Sequence, residues 1–137
     1  MRTLGALPGV TVTGSVPDVR PFVRQSALMV APLNIARGTQ NKILEAMAMG
    51  VPVVTSRIAP GGVDAEPVTH FLVVDSAEEY SDAILQVLDK PTERQRLAVT
   101  GRQGMLSNHA WPHSMARLDE IIDRCVRNFS QSKGKLA

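Results

Sequence analysis

The chain has 137 residues, a length that suits one domain with a single hydrophobic core. Hydrophobic residues make up 44% of it and charged residues 20%, which excludes disordered and fibrous proteins. The formal net charge of +2, with no basic face interleaved with aromatic residues, argues against a nucleic-acid partner.

Features that report on cellular location favour the cytoplasm. The single cysteine, Cys125, cannot form an internal disulfide, which is typical of a reducing compartment. No apolar run is long enough to span a bilayer, and the first residues lack the pattern of a secretion signal.

The first third of the chain predicts two strands around a short helix. Residues 10–13 alternate valine and threonine, which predicts a strand that ends at Gly14. Residues 18–25 fit a short helix. Residues 27–31 form an unbroken apolar run stopped by Pro32, as in parallel strands covered on both faces.

The middle of the chain predicts a helix and two further strands. Residues 39–49 are rich in strong helix formers, and Gly50 stands where such a helix would end. Residues 51–55 and 71–74 are short apolar runs that predict strands. A long loop separates the two strands.

Three helices are predicted for the remainder. Ser76 and Glu79 form the pattern of a capping box, Thr92 can cap the next helix, and Pro112 can open the last. The predicted bounds are residues 76–89, 92–107 and 112–129, followed by a frayed tail, 130–137.

Strands and helices therefore alternate before a helical C-terminal third. This order predicts one α/β domain, residues 1–129, with a Rossmann-like parallel sheet and flanking helices. Such sheets bind ligands beyond the carboxyl ends of their strands. The segments expected at that edge are residues 14–18, 32–39 and 55–70.

The most informative segment is residues 38–54. Gly38 would let the backbone come close to a ligand, and Thr39 is predicted to cap the following helix. Free N–H groups at a helix start suit an anion such as a diphosphate. Glu45 is predicted to face away from the core, where its carboxylate could accept hydrogen bonds from a ribose diol or remain simply solvated.

Residues 42–54 resemble the signature of retaining GT-B glycosyltransferases of the group 1 sugar transferase type. The resemblance rests on the Glu-Ala-Met-Ala sequence that begins at Glu45, on Gly50 and on Pro-Val-Val at residues 52–54. Weaker matches lie at residues 12–14, 30–32 and 72–74 and at Trp111, which opens the last helix.

The resemblance implies a donor-binding C-terminal domain that transfers a sugar from a nucleoside diphosphate without an essential metal or other cofactor. It implies that Glu45 contacts the ribose and that backbone amides at Gly38 and Thr39 contact the diphosphate. By the same resemblance, Gly14, Ser15 and Val16 would lie near the base.

Two departures from the family pattern stand out. Arg37 occupies a position where the family commonly has a glutamate, so Arg37 is predicted either to bind the diphosphate or to pair with Asp64 or Glu66. The strands that carry the family's diphosphate clamp, and the whole N-terminal acceptor domain, are not recognised. The chain is therefore predicted to be a fragment that is inactive alone and self-associates through uncovered apolar surface.

Alternative functions remain open from the sequence. A nucleotide-sugar epimerase would share the fold and the donor pocket, and a non-catalytic nucleotide-binding or scaffold module is a further alternative. His109 and His113 are separated by Pro112, which argues against a metal site on one helix face. Polysaccharide or glycolipid acceptors are common in the family, so peripheral membrane contact is an expectation for the full-length protein only.

Overall fold

A computed structural model describes residues 4–35, 37–58 and 65–133, with side chains described to Phe129. A 3₁₀ turn, Leu4–Ala6, comes first. The elements that follow, in chain order, are α1 (Arg20–Gln25), β1 (Met29–Ala31), α2 (Asn41–Ala48), β2 (Val53–Ser56), β3 (Leu72–Val74), α3 (Ala77–Asp89), α4 (Pro91–Asn108) and α5 (Trp111–Lys133).

The three strands form a parallel sheet in the order β1-β2-β3. Met29 pairs with Val53 in the first ladder, and Val54 pairs with Leu72 in the second. Helix α2 connects the first two strands, as a parallel crossover requires. The predicted α/β fold with a parallel sheet and a helical C-terminal part is confirmed.

The core lies between the sheet and the helices that cover it. Its largest fully buried side chains include Phe71 beside β3, Ile43 and Met47 of α2, and Leu97 of α4. Burial of such side chains contributes about 1.5 to 3 kcal/mol each. The three apolar runs predicted as strands are therefore the elements around which the molecule is stabilised.

Two glycines of α4 allow this helix to approach the segment before β3. A Cβ atom on Gly101 would lie 3.0 Å from the carbonyl oxygen of His70, and one on Gly104 would lie 3.1 Å from Nε2 of His70. The His70 Nδ1 atom accepts a hydrogen bond of 2.8 Å from the Glu66 N–H. A side chain at either position would therefore require His70 to shift by a few tenths of an ångström.

The same segment contains a left-handed residue that α4 holds in place. Val68 has a φ of 68°, which is unfavourable for a β-branched residue. The Arg96 guanidinium donates to the carbonyl oxygens of Val68 at 2.9 Å and Thr69 at 3.2 Å. Glu93 pairs with Arg96 at 2.7 Å and fixes its orientation. The turn is therefore tied to α4 by charge-assisted hydrogen bonds.

The predicted strand at residues 10–13 is wrong. The segment pairs with no strand in the described part of the chain, and Val10 and Val12 are 42% and 52% exposed. An alternating pattern indicates only that a strand would have one apolar face. A strand also needs a neighbouring strand to bond its backbone N–H and C=O groups.

The helix bounds agree with the sequence in part. The Ser76 and Glu79 capping box is confirmed, with Ser76 Oγ accepting the Glu79 N–H at 3.1 Å. The predicted Thr92 cap is wrong, because α4 begins at Pro91 after Lys90, and proline favours the first helical position. Helix α5 continues to Lys133, four residues beyond the predicted end, and residues 134–137 lie outside the described part.

Candidate functional site

The loop after β1 leaves the carboxyl edge of the sheet at a fixed point. The buried Thr55 hydroxyl of β2 donates to the Ala31 carbonyl at 3.1 Å. The Ser56 hydroxyl donates to the Leu33 carbonyl at 2.7 Å. Both bonds run from β2 to the start of the loop, so the loop is anchored to the sheet before it turns towards α2.

The start of α2 differs from the prediction. Gln40 rather than Thr39 is the N-cap, and no side-chain cap bond forms, so the predicted Thr39 cap is wrong. Gly38 has a φ of 67° and reverses the chain, and the Gln40 Nε2 atom donates back to the Gly38 carbonyl at 3.1 Å. The reversal moves Thr39 out of the capping position.

Several backbone N–H groups at this turn have no acceptor within the described residues. The Ile43 N–H bonds to the Gln40 carbonyl at 2.9 Å, whereas those of Gly38, Thr39 and Lys42 make no described hydrogen bond. Free N–H groups at a helix start carry the positive end of the helix dipole. These N–H groups could therefore bind an anion. The sequence analysis predicted an anion at this helix start as well, but with Thr39 rather than Gln40 as the N-cap.

Glu45 lies on the exposed side of α2, as predicted, while Ile43, Ala46 and Met47 are buried. It forms a ridge between two grooves. The first, the Asp18 groove, has a volume of about 410 Å³ and is lined by Asp18, Val19, Arg20, Glu45, Ala48 and Met49. The second, the Trp111 groove, has a volume of about 470 Å³ and is lined by Asn41, Leu44, Glu45, Ala48, Met105, His109 and Trp111.

An ion pair forms one wall of the Asp18 groove. The Arg20 Nε atom lies 2.9 Å from Asp18 Oδ1, and Arg20 Nη2 lies 3.0 Å from Asp18 Oδ2. The Arg20 backbone N–H also donates to Asp18 Oδ1 at 2.9 Å, at the start of α1. The hydrogen bonds from Arg20 lower the pKa of Asp18 below its usual value, so the carboxylate stays ionised at neutral pH.

The predicted site residues are only partly brought together. Glu45 lines both grooves, whereas Arg37, Gly38 and Thr39 are exposed on the loop that precedes α2. Gly14, Ser15 and Val16 line neither groove. Their proximity to a base therefore stays a prediction.

Arg37 makes no ion pair within the described residues. The alternative predicted for it was a salt bridge to Asp64 or Glu66. No pair with Glu66 forms, and Asp64 lies outside the described residues. The guanidinium remains exposed beside the turn at Gly38.

Sequence reasoning gave no site role to two residues that line the Asp18 groove with Glu45. Asp18 was placed at the end of the segment 14–18 expected at the ligand-binding edge and at the start of a helix, and Arg20 only in that helix. An acid two residues before an arginine at a helix start can bind both its backbone and its guanidinium. The sequence analysis noted Trp111 only as the residue that opens the last helix. That Trp111 lines a groove with Glu45 depends on the packing of α2 against α4, which the sequence does not show.

The described residues contain no cluster of three or more metal-ligating side chains. Among the same residues, no helix combines the length and the apolar character needed to cross a membrane.

Comparisons with known proteins identify the family. A profile of the glycosyl transferases group 1 family matches residues 1–90. Among solved structures, sucrose-phosphate synthase from Thermosynechococcus elongatus matches with a TM-score of 0.57 and 22% identity, over 65% of this chain and 23% of that chain. A comparison with curated proteins found no match. The fold is that of a GT-B Rossmann-like fragment, and the chain belongs to the glycosyl transferases group 1 family.

Proposed function

We propose that this chain binds the nucleoside diphosphate sugar donor of a retaining glycosyltransferase whose acceptor site lies in a separate N-terminal domain. The observation that carries the proposal is the position of Glu45 on α2. About one helical turn, a rise of about 5 Å, separates it from the Lys42 N–H, which bonds to none of the described residues. A diphosphate at the helix start and a ribose at the carboxylate would occupy adjacent positions on one helix.

The diphosphate would be bound by backbone rather than by side chains. The N–H groups of Gly38, Thr39 and Lys42 bond to none of the residues that the structure describes, and Gly38 carries no side chain that would obstruct a phosphate. Arg37 adds an exposed positive charge next to these groups. Its guanidinium would bind two phosphate oxygens at once and stabilise the diphosphate as it leaves the sugar.

The sugar nucleotide would then extend along the ridge formed by Glu45. The Asp18 groove is the expected place for the nucleoside, because residues 14–16 lie immediately before Asp18 in the chain and the family places the base near them. The proposed transfer uses no metal or other cofactor, and it takes place in the cytoplasm. A glycan or lipid-linked sugar would be the acceptor.

The ribose assignment is tested by Glu45→Gln, which keeps size and helix propensity but removes the charge. A carboxylate hydrogen bond contributes about 1.5 to 3 kcal/mol, so donor affinity should fall at least tenfold. Calorimetric titration of the full-length enzyme with UDP-, GDP- and ADP-sugars measures it. Glu120→Gln on α5 is the matched control, and equal dissociation constants for both variants would remove Glu45 from the site.

The role of Arg37 is tested by Arg37→Lys, which keeps the charge but removes the planar pair of donors. We expect weaker donor binding at unchanged thermal stability, whereas Arg102→Lys on the exposed side of α4 should change neither. Unaltered affinity of the Arg37 variant would show that the guanidinium does not contact the donor.

The requirement for a second domain is tested with the 137-residue chain itself. Holding donor and acceptor in reactive geometry can lower the activation barrier by about 7 to 11 kcal/mol. A chain that holds only the donor would lose most of this barrier reduction. We expect no sugar transfer by the chain alone and transfer by the full-length protein. Isomerisation of labelled donor without acceptor would instead indicate an epimerase, and a full-length protein without either activity would indicate a scaffold module.

A further inference from the structure

The hydroxyl of Tyr80 lies where β1 ends and the β1–α2 loop, residues 32–40, begins. Tyr80 is a partly buried residue in the first turn of α3, and its hydroxyl donates to the Ala31 carbonyl oxygen at 3.4 Å. Ala31 is the last residue of β1 and is 3% exposed. The two partners are 49 residues apart in the chain. This contact therefore joins α3 to the start of the loop that carries Arg37 and Gly38.

Two hydroxyls of β2 contact the same short stretch of backbone. The Thr55 hydroxyl donates to the Ala31 carbonyl, and the Ser56 hydroxyl donates to the Leu33 carbonyl. The Leu33 N–H also donates to the Ala31 carbonyl at 3.0 Å. Between them stands Pro32, whose ring restricts the backbone and which has no N–H of its own. The direction in which the chain leaves β1 is thus held by hydroxyl groups from two neighbouring elements.

The Tyr80 hydroxyl is suited to act as a hydrogen-bond donor. Burial raises the pKa of the Tyr80 hydroxyl above its usual value, and hydrogen bonding to Ser56 opposes this rise. The phenol therefore keeps its proton at neutral pH. Because a phenol has one proton, it can donate either to the Ala31 carbonyl or to the Ser56 oxygen. Either hydrogen bond ties α3 to the start of the β1–α2 loop.

The first turn of α3, which carries Tyr80, is itself anchored to the end of β2. The Arg57 Nε atom, just after β2, lies 2.8 Å from Asp75 Oδ2. The Asp75 N–H donates to Glu79 Oε2 at 2.7 Å, and Glu79 also belongs to the capping box. The Tyr80 N–H donates to the Ser76 carbonyl at 3.0 Å. The ring of Tyr80 is therefore presented to the loop from a well-anchored helix start.

We propose that Tyr80 is a positioning residue for the donor diphosphate: its hydroxyl holds the start of the β1–α2 loop so that the N–H groups of Gly38 and Thr39 converge on the phosphates. The inference rests on the proposed function, which assigns the diphosphate to this loop. Tyr80 acts through the Ala31 carbonyl, at the opposite end of the loop from Gly38, and does not itself contact the donor. Backbone donors bind an anion well only when they are held in place, so movement at the start of the loop would weaken binding.

Hydrogen exchange of the 137-residue chain tests the hold on the loop without any ligand. Tyr80→Phe keeps the ring and removes only the hydroxyl. One hydrogen bond changes an equilibrium by about two- to tenfold, so the bonded amides of Leu33 and Asn41 should exchange faster by that factor. The amide of Val54 in β2 should be unchanged, because the opening is local. Ser81→Ala, which removes an exposed hydroxyl from the next residue of α3, is the matched control and should exchange like the wild type.

Equal exchange at Leu33 in the wild type and in Tyr80→Phe would overturn the proposal. Faster exchange of Val54 by the same factor would also overturn it, because the hydroxyl would then stabilise the whole fold rather than the loop.

Nucleotide binding by the full-length protein tests whether the hydroxyl acts on the diphosphate. Saturation-transfer NMR titrations compare UDP, GDP and ADP with uridine, guanosine and adenosine. Tyr80→Phe should weaken binding of the preferred diphosphate by about two- to tenfold and leave binding of the matching nucleoside unchanged. Glu45→Gln should weaken both ligands, because both contain the ribose. Ser81→Ala should weaken neither.

The results separate this inference from the proposed function. A diphosphate that binds equally to Tyr80→Phe and to the wild type would overturn the positioning role and leave the donor site intact. Equal weakening of diphosphate and nucleoside by Tyr80→Phe would also overturn it, because the effect would not be specific to the phosphates. A wild type that binds none of the three diphosphates would overturn the donor site, and the positioning role with it.

Discussion

The sheet region and helix α5 are both rich in apolar residues, but they use them differently. Around β1, β2 and β3 the apolar side chains are withdrawn from water, and Phe71, Val53 and Val54 are fully buried. Along α5 the apolar side chains are equally regular and remain exposed. The periodicity of apolar residues predicts an element and its apolar face, whereas burial depends on what lies opposite that face.

The largest effect is expected from a matched pair of phenylalanine substitutions. Phe71→Ala removes a fully buried ring and should lower the free energy of unfolding by about 3 to 5 kcal/mol. Phe129→Ala removes a ring that is 62% exposed and should change it by less than about 0.5 kcal/mol. Urea denaturation of dilute protein measures both, and similar losses would mean that α5 belongs to the same cooperative core.

A smaller effect is expected where α4 crosses the segment before β3. Gly101→Ala improves helix propensity by about 1 kcal/mol, but the new methyl group would meet the His70 carbonyl at 3.0 Å. That carbonyl cannot move easily, because Arg96 and Thr100 bind the neighbouring Thr69 carbonyl. We expect a net loss of about 1 to 3 kcal/mol by thermal denaturation.

The control for this crossing is Arg102→Ala on the exposed side of the same helix, which should leave stability nearly unchanged. A Gly101→Ala variant more stable than the wild type would show that the segment yields to α4 at little cost.

Thr55→Val isolates one hydrogen bond of the sheet region. Valine has almost the same shape, so the change removes the 3.1 Å bond to the Ala31 carbonyl without leaving a cavity. We expect a loss of about 1 kcal/mol in chemical denaturation. Ser114→Ala on α5 is the exposed counterpart. If the threonine variant lost no more than the serine variant, the bond would contribute nothing to the sheet region.

The smallest effect is a dependence of stability on acid pH. Hydrogen bonds from Arg96 hold the pKa of Glu93 below its usual value. The folded pKa is lower than the unfolded one, so the stabilisation is present above the unfolded pKa and is lost as pH falls through the folded pKa. The thermal midpoint of Glu93→Gln should therefore fall less on acidification than that of the wild type. Glu120→Gln, which removes no ion pair within the described part of α5, should follow the wild type.

Sequence alone predicted the elements whose signal is local. The apolar runs at residues 27–31 and 71–74 contain β1 and β3, and the run at 51–55 covers β2 except for Ser56. The capping box at Ser76 begins α3 as expected. The strand at residues 10–13 was predicted from an alternating valine and threonine pattern, and it does not form. A strand is completed by a neighbour, and the local sequence carries no information about which neighbours are present.

The candidate site was predictable to a similar degree. The exposure of Glu45 follows from helical periodicity, and it is confirmed. The cap at Thr39 was wrong because the reversal at Gly38 and the amide of Gln40 decide where the helix starts. Asp18 and Arg20 line the same groove as Glu45 although they are more than twenty residues away in the chain, and the local sequence carries no signal of that proximity.

The left-handed Val68 has a consequence for the order in which the chain folds. An isolated segment has no reason to place a β-branched residue at a φ of 68°, a conformation that costs roughly 1 to 2 kcal/mol. From α4, the guanidinium of Arg96, 28 residues after Val68, stabilises the turn through the Val68 and Thr69 carbonyls, and the Thr100 hydroxyl also donates to the Thr69 carbonyl. We therefore expect the turn at Val68 to form only after α4 has docked. Formation of this turn would then be the last step in the folding of the part that contains β1, β2 and β3.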